Sequence, residues 1–326
     1  MQTKAVYVVV SQPTDVYFEQ AWISAWSLKH YTPDMEVVFV VDQATYDGIY
    51  SSYRQRALDV IDHVVSVAVP EKYHSPTLRS RYLKTSLREH IRGSFLFLDS
   101  DTVVCGNISE VDTFAHPLMM VQDGHCPLSE SITGHEVRRL YHRIFHERYT
   151  GNTYYNSGVI YCQDTPATHT FYQIWHRTWQ KSMATGHPND QPALLHTDIR
   201  HCLISEMDGI YNSQVRYSVY YLIKGKILHY FNHFLPINDA SPFYDTLIYR
   251  QVQKDRGISA DMVRTILHCK ELYPPQSYIS AGRELRLRFD YPYRLLLLSY
   301  MRMPRYYRFL ALLSRWQYRL FLRLFR

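Results

Sequence analysis

Between residues 5 and 122 the chain alternates short β-branched and aromatic runs with stretches of helix length, and few folds accept that order. Val6 to Val10 is followed by the helical pattern Tyr17 to His30, then by the strand-like Glu36 to Val41. Helix-like Ala44 to Leu58 comes next, then strand Ile61 to Val69, helix Thr77 to Ile91 and the buried-strand run Phe95 to Leu98. Parallel strands need a crossover connection, usually a helix, so this order predicts an α/β fold with a mixed, mostly parallel sheet flanked by helices. No internal repeat or low-complexity tract argues for a solenoid. With 326 residues, 46% hydrophobic and 20% charged, the chain is neither disordered nor a disulfide miniprotein.

In such sheets ligands bind beyond the carboxyl ends of the strands. The segments there are polar: Ser11-Gln12-Pro13-Thr14-Asp15, Asp42, and Asp99-Ser100-Asp101. No Gly-x-Gly-x-x-Gly follows the first strand and no Walker loop occurs, which argues against dinucleotide and P-loop sites. The strongest local signal is Phe95-Leu96-Phe97-Leu98-Asp99-Ser100-Asp101, an apolar strand ending in two carboxylates. Desolvating both is unfavourable, and a divalent cation relieves that penalty. Mn²⁺ or Mg²⁺ takes oxygen ligands and leaves positions for phosphates, so this strand end suits a nucleoside diphosphate.

Charge divides the chain unevenly. The net charge is +6, yet residues 283 to 326 hold eleven Arg against Glu284 and Asp290, so the tail carries +9 and residues 1 to 282 carry 6 − 9 = −3. A favourable first helical residue, Pro304, opens a segment in which Arg305, Arg308, Arg315, Arg319, Arg323 and Arg326 share a stripe roughly 80° wide at about 100° per residue. Phe309, Leu310, Leu312, Leu313, Trp316, Leu320, Phe321 and Leu324 cover much of the rest, the composition of a helix lying in a membrane interface. The segment is too charged to span a bilayer. Five scattered cysteines without a Cys-x-x-Cys pair, and a start without a leader pattern, predict free thiols and a cytoplasmic location.

Taken in order, these pieces resemble glycosyltransferase family 8, the nucleotide-diphospho-sugar transferases of GT-A fold, over residues 4 to 232. In that family a polar segment with an acidic residue and a Tyr follows the first strand, which here implies Ser11, Asp15 and Tyr17 around the nucleobase, with Tyr17 stacked on it. A basic residue on the helix before the Asp-x-Asp strand implies Arg81 as first choice and Lys84 as second, with Arg81 pairing with Asp99 or the diphosphate. Asp99 and Asp101, with Ser100 between them, match the metal-binding motif, and His229 in Ile227-Leu228-His229-Tyr230 completes the metal site. Tyr155-Asn156-Ser157-Gly158-Val159 resembles the strand whose Asn contacts the donor sugar, and Asn189-Asp190-Gln191 resembles the Asp-Gln pair facing the reacting centre. The resemblance thus makes Asp190 and Gln191 the catalytic pair. One departure stands out: the family's Gly-x-x-Lys-Pro-Trp is replaced by Phe231-Asn232-His233-Phe234-Leu235-Pro236, leaving Lys224, Lys226 or His233 to supply the phosphate contact.

The resemblance implies a GT-A catalytic domain over 1–235; a helical and loop extension over 236–282, expected to shape the acceptor region, follows it, and the charge pattern makes 283–326 a basic amphipathic membrane-association tail. The resemblance further implies a Mn²⁺- or Mg²⁺-dependent hexosyltransferase using a UDP-sugar with retention. The acceptor would be a glycan or lipid-linked hydroxyl in lipopolysaccharide or capsule synthesis, at the inner face of the cytoplasmic membrane, with no nucleic-acid partner. One alternative is a non-catalytic, transferase-like partner in a glycan assembly complex. Another is a haloacid-dehalogenase-like phosphatase, whose nucleophile motif Asp99-Ser100-Asp101-Thr102-Val103 also fits but whose later acidic pair is missing, since no Asp-Asp occurs.

Overall fold

The computed structural model describes residues 1–131, 133–215, 217, 219–231, 243, 247–270 and 291–324. Its strands are β1 (Lys4–Val9), β2 (Val37–Asp42), β3 (His63–Val67), β4 (Phe95–Leu98), β5 (Thr102–Val104), β6 (Leu118–Gln122), β7 (Tyr155–Cys162), β8 (Ile204–Glu206), β9 (Ser213–Gln214) and β10 (Ile227–His229). The helices of the same body are α1 (Tyr17–Tyr31), α2 (Gln43–Tyr50), α3 (Pro76–Thr85), α4 (Leu87–His90), α5 (Gly134–Phe145), α6 (Pro166–Ala184), α7 (Asp190–His201), α8 (Val219–Lys224), α9 (Leu247–Asp255) and α10 (Ala260–Leu267).

A seven-stranded sheet runs β3-β2-β1-β4-β7-β6-β8, and a three-stranded one runs β5-β10-β9. The pairs among β3, β2, β1 and β4 are parallel, as is β6 with β8, while β7 is antiparallel to both neighbours. The expected mixed, mostly parallel sheet is therefore present. Strands β1, β2 and β4 are apolar almost throughout because helices cover both faces.

Two expected helices are broken by their own hydroxyls. In place of one helix over Ala44 to Leu58, α2 ends at Tyr50, and Ser52, whose Oγ accepts from the Arg54 amide at 3.3 Å, starts a separate 3₁₀ turn over Tyr53–Asp59. Likewise Thr77 to Ile91 divides at Ser86, whose Oγ donates back to the Tyr82 carbonyl at 2.8 Å. Such side-chain to backbone bonds compete with the helical ladder.

The core between the sheet and α3, α4 and α6 holds Val6, Val8, Phe95, Phe97, Trp175 and Trp179, all buried. Its two indoles also fix a loop. Trp175 donates to the Asp190 carbonyl at 3.1 Å and Trp179 to the Pro188 carbonyl at 2.8 Å, so the start of α7 is tied to the core.

Residues Met1–Tyr278 and Ile279–Arg326 form separate compact units. In the second, helices span Tyr291–Arg302 and Pro304–Leu324. The expected helix from Pro304 is thus found, and Arg305, Arg308, Arg315, Arg319 and Arg323 are exposed on it, as are Phe309, Leu312, Trp316 (62%) and Phe321. Arg326 lies outside the described residues, as do 232–236 with His233 and the expected break at Pro274-Pro275. No helix among the described residues is long and apolar enough to cross a membrane.

Trp175→Ala is expected to lower the unfolding free energy by about 3–5 kcal/mol, since it leaves a large cavity and orphans the Asp190 carbonyl. Urea titration should show an earlier midpoint at unchanged slope.

Candidate active site

The carboxyl ends of β1 and β4 meet a third edge, the amino end of β7, where the site is built. Pairing of β4 with β1 and β7 ends at Leu98, and the Asp99 amide then donates to the Gly158 carbonyl at 2.8 Å. A tight turn closed by Thr102 Oγ1 on the Asp99 carbonyl, at 2.9 Å, swings the chain into β5. Strand β10 lies antiparallel to β5 with His229 opposite Thr102, and the Tyr230 amide bonds the Asp101 carbonyl at 3.0 Å. This register brings His229 Nε2 to 3.2 Å from Asp101 and 4.0 Å from Asp99.

One ligand atom from each of Asp99, Asp101 and His229 lies within 4.8 Å of the others, so two oxygens and one imidazole nitrogen face a common point. The donor set fits Mn²⁺ or Mg²⁺. A chain of amides prepares the histidine. Asn156 donates to Asp123 at 2.9 Å and accepts from Asn212 at 2.9 Å, and Asn212 Oδ1 faces His229 Nδ1 at 3.0 Å. With the Asn212 amino group committed to Asn156, its oxygen receives the Nδ1 proton, which leaves Nε2 to face the carboxylates. Burial opposes charge on this imidazole, but Asp101 and Asp99 outweigh it and raise its pKa. Gly158 leaves room for the ring: a Cβ there would sit 2.1 Å from His229 Cε1.

Helix α3 supplies the opposite charge. Lys84, only 2% exposed, lies 3.1 and 3.4 Å from the Asp99 oxygens, 3.2 Å from Ser157 Oγ and 3.5 Å from Asp190. Arg81, one turn earlier, pairs with Asp190 at 3.1 Å rather than with Asp99, whose ion-pair partner is Lys84. Ser157 donates to Asp190 at 2.8 Å. Burial pushes the Asp190 carboxyl up, but Arg81, Lys84 and the Ser157 hydroxyl hold it well below the ordinary range.

The other expected residues fall close by with different duties. Both Asp15 oxygens are used locally, accepting from Ser11 Oγ at 2.6 Å, the Gln12 amide at 2.7 Å and the Tyr17 amide at 3.1 Å. Asp15 thus shapes the loop, and Tyr17 projects from it 48% exposed. Ser100 Oγ bonds Gln20 at 3.3 Å, and Gln191 donates to the Tyr155 carbonyl at 3.0 Å while its side chain also reaches Asp123. Neither of the described lysines expected to replace the family's phosphate contact reaches the cluster. Lys226 sits at the far end of β10, paired with Glu110, and Lys224 bonds the Tyr220 hydroxyl at 3.1 Å.

Sequence reasoning missed several residues. Asp123 follows apolar β6 as Asp99 follows β4, a signal of the same kind in a less apolar run. Glu19, Arg54 and Gln253 carry no motif. Glu19 is fully buried and holds Arg54 at 2.9 Å, Arg54 reaches the Gln12 carbonyl at 3.1 Å, and Gln253 of α9 donates to the Asp15 carbonyl and, at 3.1 Å, to Glu19. Helix α9, expected to serve the acceptor side, therefore also braces the Ser11–Tyr17 loop.

The mixed, mostly parallel seven-stranded sheet flanked by helices is a GT-A fold. The chain is similar to the bifunctional glycosyltransferase WbbM, with a TM-score of 0.53 and 12% identity, over 79% of this chain and 52% of that one. It is also similar to the galactosyltransferase LgtC in complex with donor and acceptor sugar analogues, with a TM-score of 0.50 and 14% identity, over 81% of this chain and 100% of that one. No protein-family model matches the sequence, and no curated protein matches it.

Burial raises the Asp123 pKa despite the amides of Asn156 and Gln191, so its ionisation lowers stability as pH rises through that value. Asp123→Asn should therefore be more stable than the native chain at pH 7, with the gain vanishing below about pH 4, where the aspartate is protonated folded and unfolded alike. Thermal melts across that range check it.

Proposed function

We propose that the chain is a metal-dependent glycosyltransferase that moves a hexose from a UDP-sugar to a hydroxyl of a glycan or lipid-linked acceptor, with retention. The observation that carries this reading is the meeting of Asp99, Asp101 and His229 with Lys84, Arg81 and Asp190 at one sheet edge, beside the exposed Tyr17. The fold likeness supports it.

Asp99, Asp101 and His229 would hold Mn²⁺ or Mg²⁺, which as a Lewis acid offsets the charge developing on a departing diphosphate. Lys84 and Arg81 add fixed positive charge beside the same anion. The Tyr17 ring offers a stacking face for uracil on a loop fixed by Asp15. Asp190, kept ionised by its two cations, accepts from hydroxyls of the donor sugar and orients it. Gln191, an amide and a poor nucleophile, lines the reacting centre, which favours attack by the acceptor hydroxyl on the face the diphosphate leaves. Asn156 and Ser157 act at second hand, the first through the amide chain to His229 and the second through Asp190.

The arginine-rich helix from Pro304 presents exposed Phe309, Trp316 and Phe321 together with its arginines, which supports attachment to an anionic membrane surface. A membrane-borne acceptor in lipopolysaccharide or capsule assembly at the inner face would be within reach of such an enzyme.

Calorimetry should show UDP binding only with Mn²⁺, abolished in Asp99→Ala/Asp101→Ala. Tyr17→Ala should weaken it about 10-fold through lost stacking worth about 1–3 kcal/mol. Absence of UDP binding under any metal would overturn the transferase reading and favour the non-catalytic partner. Sedimentation with anionic vesicles should fall with added salt and in Arg315→Glu/Arg319→Glu, each arginine near the surface contributing about 1 kcal/mol.

A further inference from the structure

Two of the five cysteines that the site leaves unused lie against each other. Cys105 follows β5, its amide bonded to the Lys226 carbonyl at 2.8 Å and its thiol to the Gly225 carbonyl at 3.1 Å. Cys269 follows α10 and is fully buried, its amide bonded to the Ile266 carbonyl at 3.3 Å. The two thiols lie near enough for each to be the largest influence on the other's ionisation, although the residues stand far apart in sequence. Lys270 is fixed beside them by a bond to the Ile223 carbonyl at 3.1 Å, and among the described residues the Tyr31 hydroxyl is the other titratable group facing the pair. Cys269 and the Lys270 ammonium hold the Cys105 thiol below its ordinary pKa against burial, whereas Cys269 is pushed up.

We infer that Cys105 and Cys269 form a site of reversible oxidation, closing to a disulfide in the presence of a hydroperoxide and reopening with a dithiol. Thiols this near each other can close to a bond when the chain brings their Cα atoms within about 7 Å. The roles are unequal: Cys105, partly accessible and closer to the thiolate, attacks, and Cys269 resolves. The Cys105 thiolate attacks one peroxide oxygen, the O–O bond breaks and hydroxide leaves as water, giving a sulfenic acid. Cys269 then loses its proton and attacks that sulfur, forming the S–S bond and releasing a second water. Two thiols are oxidised by two electrons and one hydrogen peroxide is reduced to two waters. The bond joins the end of α10 to the strand pair whose opposite end carries Asp101 and His229. Nothing in this inference depends on the transferase reading.

The test uses the full chain, treated with hydrogen peroxide, quenched, alkylated and mapped by peptide mass. Alkylatable thiols should fall from five to 5 − 2 = 3, the mass should drop by two hydrogens, and dithiothreitol should restore both. A linked peptide should join Cys105 and Cys269. The same link should form in Cys126→Ser/Cys162→Ser/Cys202→Ser, which leaves the pair intact, and should be lost in Cys105→Ser and Cys269→Ser. If Cys105 and Cys269 both remain alkylatable, or the only product is a dimer through exposed Cys202, the inference fails.

Discussion

Placing carboxylates at the end of a buried strand is unfavourable, and what makes it tenable here is the ammonium of Lys84. That one group touches Asp99, Ser157 and Asp190, and so joins β4, β7 and the start of α7 through an element that belongs to none of them. Arg81 supports the arrangement from the next turn. Removing either partner from such a buried set leaves an uncompensated charge, a loss of about 3–5 kcal/mol in comparable pairs. The position of α3 across the sheet edge is thus set by charge as much as by the packing of its Leu83 and Leu78 on the core.

Much of this was legible in the chain itself. The alternation of strand and helix patterns revealed the parallel half of the sheet, and Asp99 with Asp101 stood out because polar residues in pairs do not ordinarily close a strand such as Phe95-Leu96-Phe97-Leu98. His229 was found by order alone, since seventeen histidines make the residue type uninformative. What stayed hidden were relations between distant residues with no pattern of their own. Asn212 looks like an ordinary polar residue until the small sheet brings it between Asn156 and His229, and Asn156, expected against the donor sugar, is bonded to Asn212 and Asp123. The division of charge between Arg81 and Lys84 depends on how α3 is rotated against α7. Breaks at Ser52 and Ser86 turn on single hydroxyls, which outweigh an otherwise helical pattern.

The same point applies to the Ser11–Tyr17 loop. The family resemblance implies direct contact of Asp15 with a base, yet Asp15 spends both oxygens on its own loop, and the buried pair of Glu19 and Arg54 holds that loop from below. Gln253, far along the chain, closes the arrangement from above. The loop after the first strand is therefore braced by a helix that follows the small sheet, and a truncation after β10 would leave the loop without it.

Gly158 has a bearing on chains other than this one. The imidazole of His229 lies against the backbone of β7 where any side chain would collide with it, so the glycine and the histidine stand or fall together. Among chains of this fold, replacement of that glycine by a larger residue would mark one whose histidine no longer faces its two aspartates, whatever the Asp-x-Asp motif still spells. A single position on β7 thus becomes a criterion for whether the histidine can take its place beside the two aspartates.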